Sequence, residues 1–157
     1  MTTIVFNTKN DTQTQQLAQA IGKKLKGSEV FELRSDLGGG KTTFVRGLAK
    51  GFGSLDPVAS PSFTISNIYR SINKKLLYHY DFYRLKEPGI MSDELSEVIS
   101  NSRDVVVVEW GKVVSDILPE SRIVVLIEVL SETERKLTMQ FYSKFSYLFT
   151  ALEKRVV

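Results

Sequence analysis

The residues with the most chemistry to offer are consecutive: Ser35-Asp36-Leu37-Gly38-Gly39-Gly40-Lys41-Thr42-Thr43. A triphosphate needs a ring of backbone N–H donors, and glycines let a chain curl tightly enough to present them. A helix that starts at Lys41 adds the positive end of its dipole. The Lys41 ammonium then reaches the β- and γ-phosphates, and the Thr42 hydroxyl is placed to ligate Mg²⁺. Leu37, Gly38, Gly39, Gly40, Lys41, Thr42 and Thr43 are therefore expected to hold the phosphates. The strict pattern G-x-x-x-x-G-K-S/T fails only at its first position, where Ser35 stands.

A phosphate loop of this kind needs an acid to anchor or order Mg²⁺, usually at the end of a buried strand. Val105-Val106-Val107-Val108 runs into Glu109, and Trp110 follows directly. By residue type alone Trp110 reads more commonly as a core or rim aromatic than as a functional residue. Asp81 is the second acid, in His79-Tyr80-Asp81-Phe82-Tyr83-Arg84. Strand alternation puts His79, Asp81 and Tyr83 on one face, and Tyr80 and Phe82 on the other. Asp81 suits either orientation of an attacking water or a salt bridge with Arg84. His79, the only histidine, reads as a hydrogen-bonded structural residue.

These groups work only if regular elements hold them. Residues 3–7 read as a strand, and Asn10 or Asp11 caps a helix with Leu17, Ile21 and Leu25 along one face. Lys23, Lys24 and Lys26 favour its C-terminal end, with Gly27 as the stop. Residues 29–34 form the strand that feeds the loop, and residues 41–52 the helix that leaves it, carrying Phe44, Val45 and Leu48 and closed by Gly53. Residues 55–62 are a loop; residues 63–72 and 76–82 make a hairpin around Asn73-Lys74-Lys75. Ser92 is expected to cap a short helix. The valine run is a fully buried strand. Residues 122–130 and 135–142 are a strand pair, with a helix over residues 144–154. The fold class is α/β: a P-loop-type three-layer sandwich with a mixed, mainly parallel central sheet flanked by helices. Residues 1–157 fit a single domain.

Composition narrows the function classes. With no cysteine, thiolate metal sites and cysteine nucleophiles are excluded. A net charge of +3 permits an acidic partner, but no long basic run or aromatic-interleaved stripe marks a nucleic-acid surface. The first residues lack the basic flank and apolar stretch of a signal peptide, and the longest apolar run is far too short to span a bilayer. A cytoplasmic location with no membrane association is the expectation.

Taken together, residues 35–43, Ser60-Pro61-Ser62-Phe63-Thr64, His79-Tyr80-Asp81-Phe82-Tyr83-Arg84-Leu85 and Val108-Glu109-Trp110 resemble the TsaE family, also called YjeE, in order and spacing. That family is the bacterial ATPase of tRNA threonylcarbamoyladenosine synthesis, and the resemblance spans roughly residues 5–136. It implies an ATP·Mg²⁺ site with Thr42 and Glu109 on the metal and Lys41 on the phosphates. It implies that Ser60, Ser62 and Thr64 belong to a mobile, switch-like segment, that Asp81 and Trp110 matter for turnover, and that Asn10 and Lys112 lie near the adenine. It also implies a partner, the TsaB–TsaD complex, with any contact to tRNA indirect. Three positions depart from the family pattern: Ser35 replaces a usual Gly, Gly39 a usual Ala and Ser62 a usual Thr. If residue 35 needs φ > 0, strain of about 1 kcal/mol is expected there.

Rival readings differ in what else they need. A small-molecule kinase shares the loop but usually carries an arginine-bearing lid, and no Arg-rich insertion follows the loop. A GTPase needs N-K-x-D, and Asn73-Lys74-Lys75-Leu76 lacks its carboxylate. A small nucleotide-sensing interaction module that binds ATP with little hydrolysis remains open, because of Ser35.

Overall fold

The computed structural model describes residues 1–101 and 103–152. Seven strands, β1 (Thr2–Thr8), β2 (Val30–Arg34), β3 (Ser66–Arg70), β4 (Leu76–Asp81), β5 (Val105–Glu109), β6 (Ile123–Val129) and β7 (Arg135–Phe141), form one sheet in the order β1-β7-β6-β2-β5-β4-β3. The ladders β6/β2, β2/β5 and β5/β4 are parallel, and β1/β7, β7/β6 and β4/β3 are antiparallel. Since β7 alone separates β1 from β6, β1 shares their direction, and only β3 and β7 run the other way. The sheet is mixed and mainly parallel, as its β-α-β units require.

The heart of the sheet is buried on both faces. Phe31 and Leu33 of β2, with Val105 and Val107 of β5, pack beneath α1 (Asp11–Gly22) and α2 (Lys41–Phe52). Val30, Val106, Val108 and Tyr80 face the opposite layer, where Leu95 of α3 (Ile90–Ser100) and Val114 and Leu118 of the turn after β5 cover them. Hence the valine run does not alternate: a strand with helices on both sides has no polar face.

How α2, the helix that leaves the glycine loop, is seated was not apparent from periodicity. A Cβ at Gly22 would lie 2.2 Å from Leu48 O, one at Gly47 2.3 Å from Gln15 O, and one at Gly51 2.1 Å from Gln19 O. Two helix backbones thus approach through glycines, Gly22 against Gly51 and Gly47 against Gln15, and any side chain at these positions would push α1 and α2 apart.

Several element ends differ from expectation. Asn10 is the N-cap of α1, its side-chain oxygen accepting from Gln13 N at 2.9 Å. The helix ends at Gly22 rather than running to Gly27, so Lys24 and Lys26 lie beyond it. Ser92 is not a cap but an interior residue of α3, whose N-cap is Gly89. The C-terminal helix is short: a 3₁₀ turn over Ser143–Phe145 leads into α4 (Ser146–Phe149), held to the core by Phe149 stacked on Phe141 at 4.1 Å. The expected continuation past residue 152 lies outside the described residues.

In the parallel ladders Leu33 is the register partner of Glu109, and Glu109 that of Asp81. The end of β2, from which the loop springs, therefore lies beside Glu109 and then Asp81 at the carboxyl edge of the sheet, where α/β proteins bind ligands.

Candidate nucleotide site

Between β2 and α2 the chain turns through Gly38 at φ +72° and Gly40 at φ +106°, both in the left-handed region that side chains avoid. Gly40 is the N-cap of α2 and makes no side-chain cap bond. The first N–H groups of a helix have no acceptor within it, so here they face outward, available to an anion. Lys41 stands among them, only 6% exposed. Its ammonium donates to Asp36 O at 3.0 Å, Ser35 Oγ at 3.1 Å and Ser35 O at 3.4 Å, and lies 4.9 Å from the centre of the Trp110 ring. Burial pulls its pKa below the usual lysine value, partly offset by the charges of Glu109, Asp81 and Asp36. Ser35 is absent from the positive-φ residues, so the expected backbone strain does not arise.

Arg135, at the start of β7, is a residue that sequence reasoning missed. It is 9% exposed, and its Nε donates to Gly39 O at 3.0 Å while Nη1 donates to Ser131 O and Glu134 O. The guanidinium is bonded to carbonyls alone, and through Gly39 O it holds the loop to the start of β7. Nothing in the local sequence marks it, because its partner lies 96 residues away.

The two acids are held very differently. Glu109 is 3% exposed, and its Oε1 accepts from His79 Nε2 at 2.8 Å. His79 is wholly buried, with Tyr69 OH 3.2 Å from Nδ1, and that hydroxyl lies 2.8 Å from Ala59 O. Asp81 accepts Ser62 Oγ at 2.9 Å on Oδ2 and Tyr83 N at 2.9 Å on Oδ1. Its expected alternative partner, Arg84, instead lies over the Phe63 ring at 4.6 Å. His79 is thus structural, as expected, but what it supports is the site itself.

The segment from Ser60 to Ile65 folds over this edge. Ser60 and Ser62 share a hydrogen bond of 2.8 Å, and Ile65 N donates to Pro61 O at 2.7 Å. Ile65 sits at φ +68°, a conformation that is an outlier for a β-branched residue. Trp110 is also left-handed, at φ +56°, with Tyr83 tilted against it at 4.9 Å. Strained residues of this kind cluster at functional segments.

A cleft of ≈ 240 Å³ unites these parts: it is lined by residues 37–43, Ser60, Ser62, Asp81, Glu109 and Trp110. Three expected site residues lie elsewhere. Asn10 caps α1, the Thr64 hydroxyl donates to Asn67 Oδ1 at 3.1 Å, and Lys112 lines an adjoining recess of ≈ 190 Å³ with Arg34, Ser35 and Trp110. The oxygen donors in the cleft, Thr42, Asp81 and Glu109, suit a hard cation. No cluster of three or more His, Cys, Asp or Glu exists among the described residues.

Comparisons with known proteins converge. A family model described as "Threonylcarbamoyl adenosine biosynthesis protein TsaE" matches residues 8–137. The chain is similar to the tRNA threonylcarbamoyladenosine biosynthesis protein TsaE of Aquifex aeolicus, at 40% identity over 81% of this chain and 88% of the relative. It is 33% identical to the protein of the same name from Rickettsia felis over 92% of this chain and 84% of the relative, and 33% identical to that of Bacillus subtilis over 88% and 85%. Among solved structures it resembles YdiB of Bacillus subtilis, with a TM-score of 0.77 and 29% identity, covering 98% of this chain and 95% of that one.

Proposed function

Because this chain belongs to the TsaE family of threonylcarbamoyl adenosine biosynthesis proteins, we propose that it is the ATP-binding and ATP-hydrolysing component of that tRNA modification machinery. The observation that carries the nucleotide reading is the arrangement of charge around one cleft. A buried ammonium and an uncapped helix N-terminus form one side, and two nearly buried carboxylates the other. A triphosphate with a divalent cation is the ligand that complements both sides at once.

In this reading the N–H groups of Gly38 and of residues 40–43 and the Lys41 ammonium take the phosphates, the Gly39 N–H being bonded to Asp36 O. Thr42 and Glu109 hold Mg²⁺, which when bound neutralises charge on the β- and γ-phosphate oxygens. Asp81 orients the attacking water, and its hydrogen bond to Ser62 makes that orientation depend on the Ser60–Ser62 segment. ATP is preferred to GTP, since the guanine-reading N-K-x-D is absent. Trp110 closes the cleft over Lys41.

Arginine supplies much of the transition-state charge in such enzymes. Arg34, Arg46 and Arg84 do not line the cleft, and Arg135 is spent on loop carbonyls. Slow hydrolysis by the isolated chain is expected from that lack, and the family resemblance implies the TsaB–TsaD complex as the partner that raises it. Contact with tRNA is then indirect, and the workplace is the cytoplasm; no helix among the described residues is long and apolar enough to cross a membrane. Reconstitution tests the proposal. ATP turnover is expected to rise when TsaB–TsaD is added, and tRNA modification over many cycles to need Lys41. Turnover that is indifferent to the complex, with modification intact in Lys41→Ala, overturns it.

A further inference from the structure

The loop's three consecutive glycines are not there for one reason. Gly38 and Gly40 have positive φ, but Gly39 does not, so its backbone would accept an L side chain. What excludes one is Ser35. A Cβ on Gly39 would fall 2.3 Å from Ser35 Oγ and 2.8 Å from Ser35 Cβ, with Asp36 O at 2.9 Å. Two of these three contacts belong to the side chain that stands where the strict phosphate-loop pattern has glycine.

Ser35 does more than fill space. Its hydroxyl donates to Asp36 O at 2.8 Å and accepts from Lys41 Nζ at 3.1 Å. An ammonium has three hydrogens; Lys41 Nζ lies 3.1 Å from Ser35 Oγ and 3.0 Å from Asp36 O, and its third contact, Ser35 O at 3.4 Å, is long enough for that hydrogen to turn to a phosphate. One of the three anchors thus exists only because residue 35 has a side chain, and a second, Asp36 O, is itself held by that side chain.

We propose that Ser35 and Gly39 form one steric and hydrogen-bonded unit, in which Ser35 positions Lys41 for the phosphates and Gly39 is the vacancy that Ser35 requires. The unit rests on the nucleotide reading above and adds a positioning residue to it. Glycine at 35 would remove the two closest contacts of a Cβ at 39, whereas in this loop that space is filled by a hydroxyl from the other end. In the doubly substituted loop the one contact left is Asp36 O at 2.9 Å, a backbone atom that loses its Ser35 donor but keeps those of Gly39 N and Lys41 Nζ, so a small local shift of the loop must accommodate the new Cβ.

The test is a double-mutant cycle on the full chain: wild type, Ser35→Gly, Gly39→Ala and the pair, each titrated with Mg·ATP by calorimetry and melted. Ser35→Gly is expected to weaken binding about two- to fivefold and Gly39→Ala about tenfold or more, while the pair falls within about threefold of wild type, the non-additivity of residues in contact. Ser35→Ala, which removes only the hydroxyl, is expected to weaken binding like Ser35→Gly with an unchanged melting temperature, which a merely structural role would not produce. A pair whose loss equals the product of the single losses overturns the proposal. Should Gly39→Ala fail to fold, a folded, binding pair supports it and an unfolded pair overturns it. Wild type that binds no Mg·ATP defeats the nucleotide reading instead, and the four melting temperatures then still decide whether the two positions are coupled.

Discussion

Glu109 and Asp81 are register partners in neighbouring parallel strands, yet they belong to different parts of the molecule. Glu109 ends a strand whose every residue is buried, and its carboxylate is tied to a histidine with no exposure at all. Asp81 is tied to Ser62, in a segment whose next residue, Phe63, is 85% exposed. One acid is fixed by the core and the other by a surface turn. Motion of that turn would be felt at Asp81 long before it reached Glu109, which suits a metal ligand that must stay and a water-orienting group that can be switched. Tyr69 is a side-chain link between the two, its hydroxyl standing between His79 and Ala59.

The contrast breaks most visibly at the group both acids face. Lys41→Ala removes a desolvated charge from the phosphates and is expected to weaken ATP binding by about 2–5 kcal/mol; calorimetry checks it, and equal affinity in the two proteins would defeat the assignment. Next come the acids themselves. Glu109→Ala leaves His79 buried without its partner, a stability loss of about 1–3 kcal/mol in a chemical melt. Asp81→Ala is expected to fall below that, because Ser62 and Tyr83 N can turn to water; a loss at Asp81 as large as at Glu109 would erase the distinction. Its nucleotide binding should persist while single-turnover hydrolysis fails.

Smaller effects sharpen the same line. Ile65→Gly relieves a left-handed β-branched residue, and a gain of up to about 1 kcal/mol in stability is expected. Thermal melting reads the gain, and a clear loss would mean that Ile65 packing outweighs its backbone strain. Phe63→Ala should change stability by no more than about 0.5 kcal/mol, as an exposed residue away from the core does. Any effect of Phe63→Ala should then appear only in activation by a partner. A large destabilisation would show that the turn is not separable from the core.

Much of this was legible in the sequence, because the signals were local. The loop spacing, the caps at Asn10 and Gly53 and the valine run each depend on residues near one another, so pattern alone located α2 and β5. What pattern could not supply was pairing across distance. Glu109 meets His79 from 30 positions away, Gly39 meets Arg135, and Gly47 lies against the backbone at Gln15. The failure at Ser92 has a different origin: Gly89 begins α3 without a side-chain cap, so the usual cap signal pointed three residues too late. At Ser35 the sequence left the backbone open: strain was expected only if the position needs a positive φ, and the backbone here does not adopt one.

The division of labour between the two acids is tested most directly by the Mg²⁺ dependence of ATP binding. Calorimetric titrations of wild type, Glu109→Ala and Asp81→Ala would be run with ATP in Mg²⁺ and in a chelator. The account predicts that Mg²⁺ tightens ATP binding to wild type and to Asp81→Ala but no longer to Glu109→Ala. Full Mg²⁺ dependence in Glu109→Ala, or its loss in Asp81→Ala alone, would contradict the assignment of the metal to the acid that the core holds fixed.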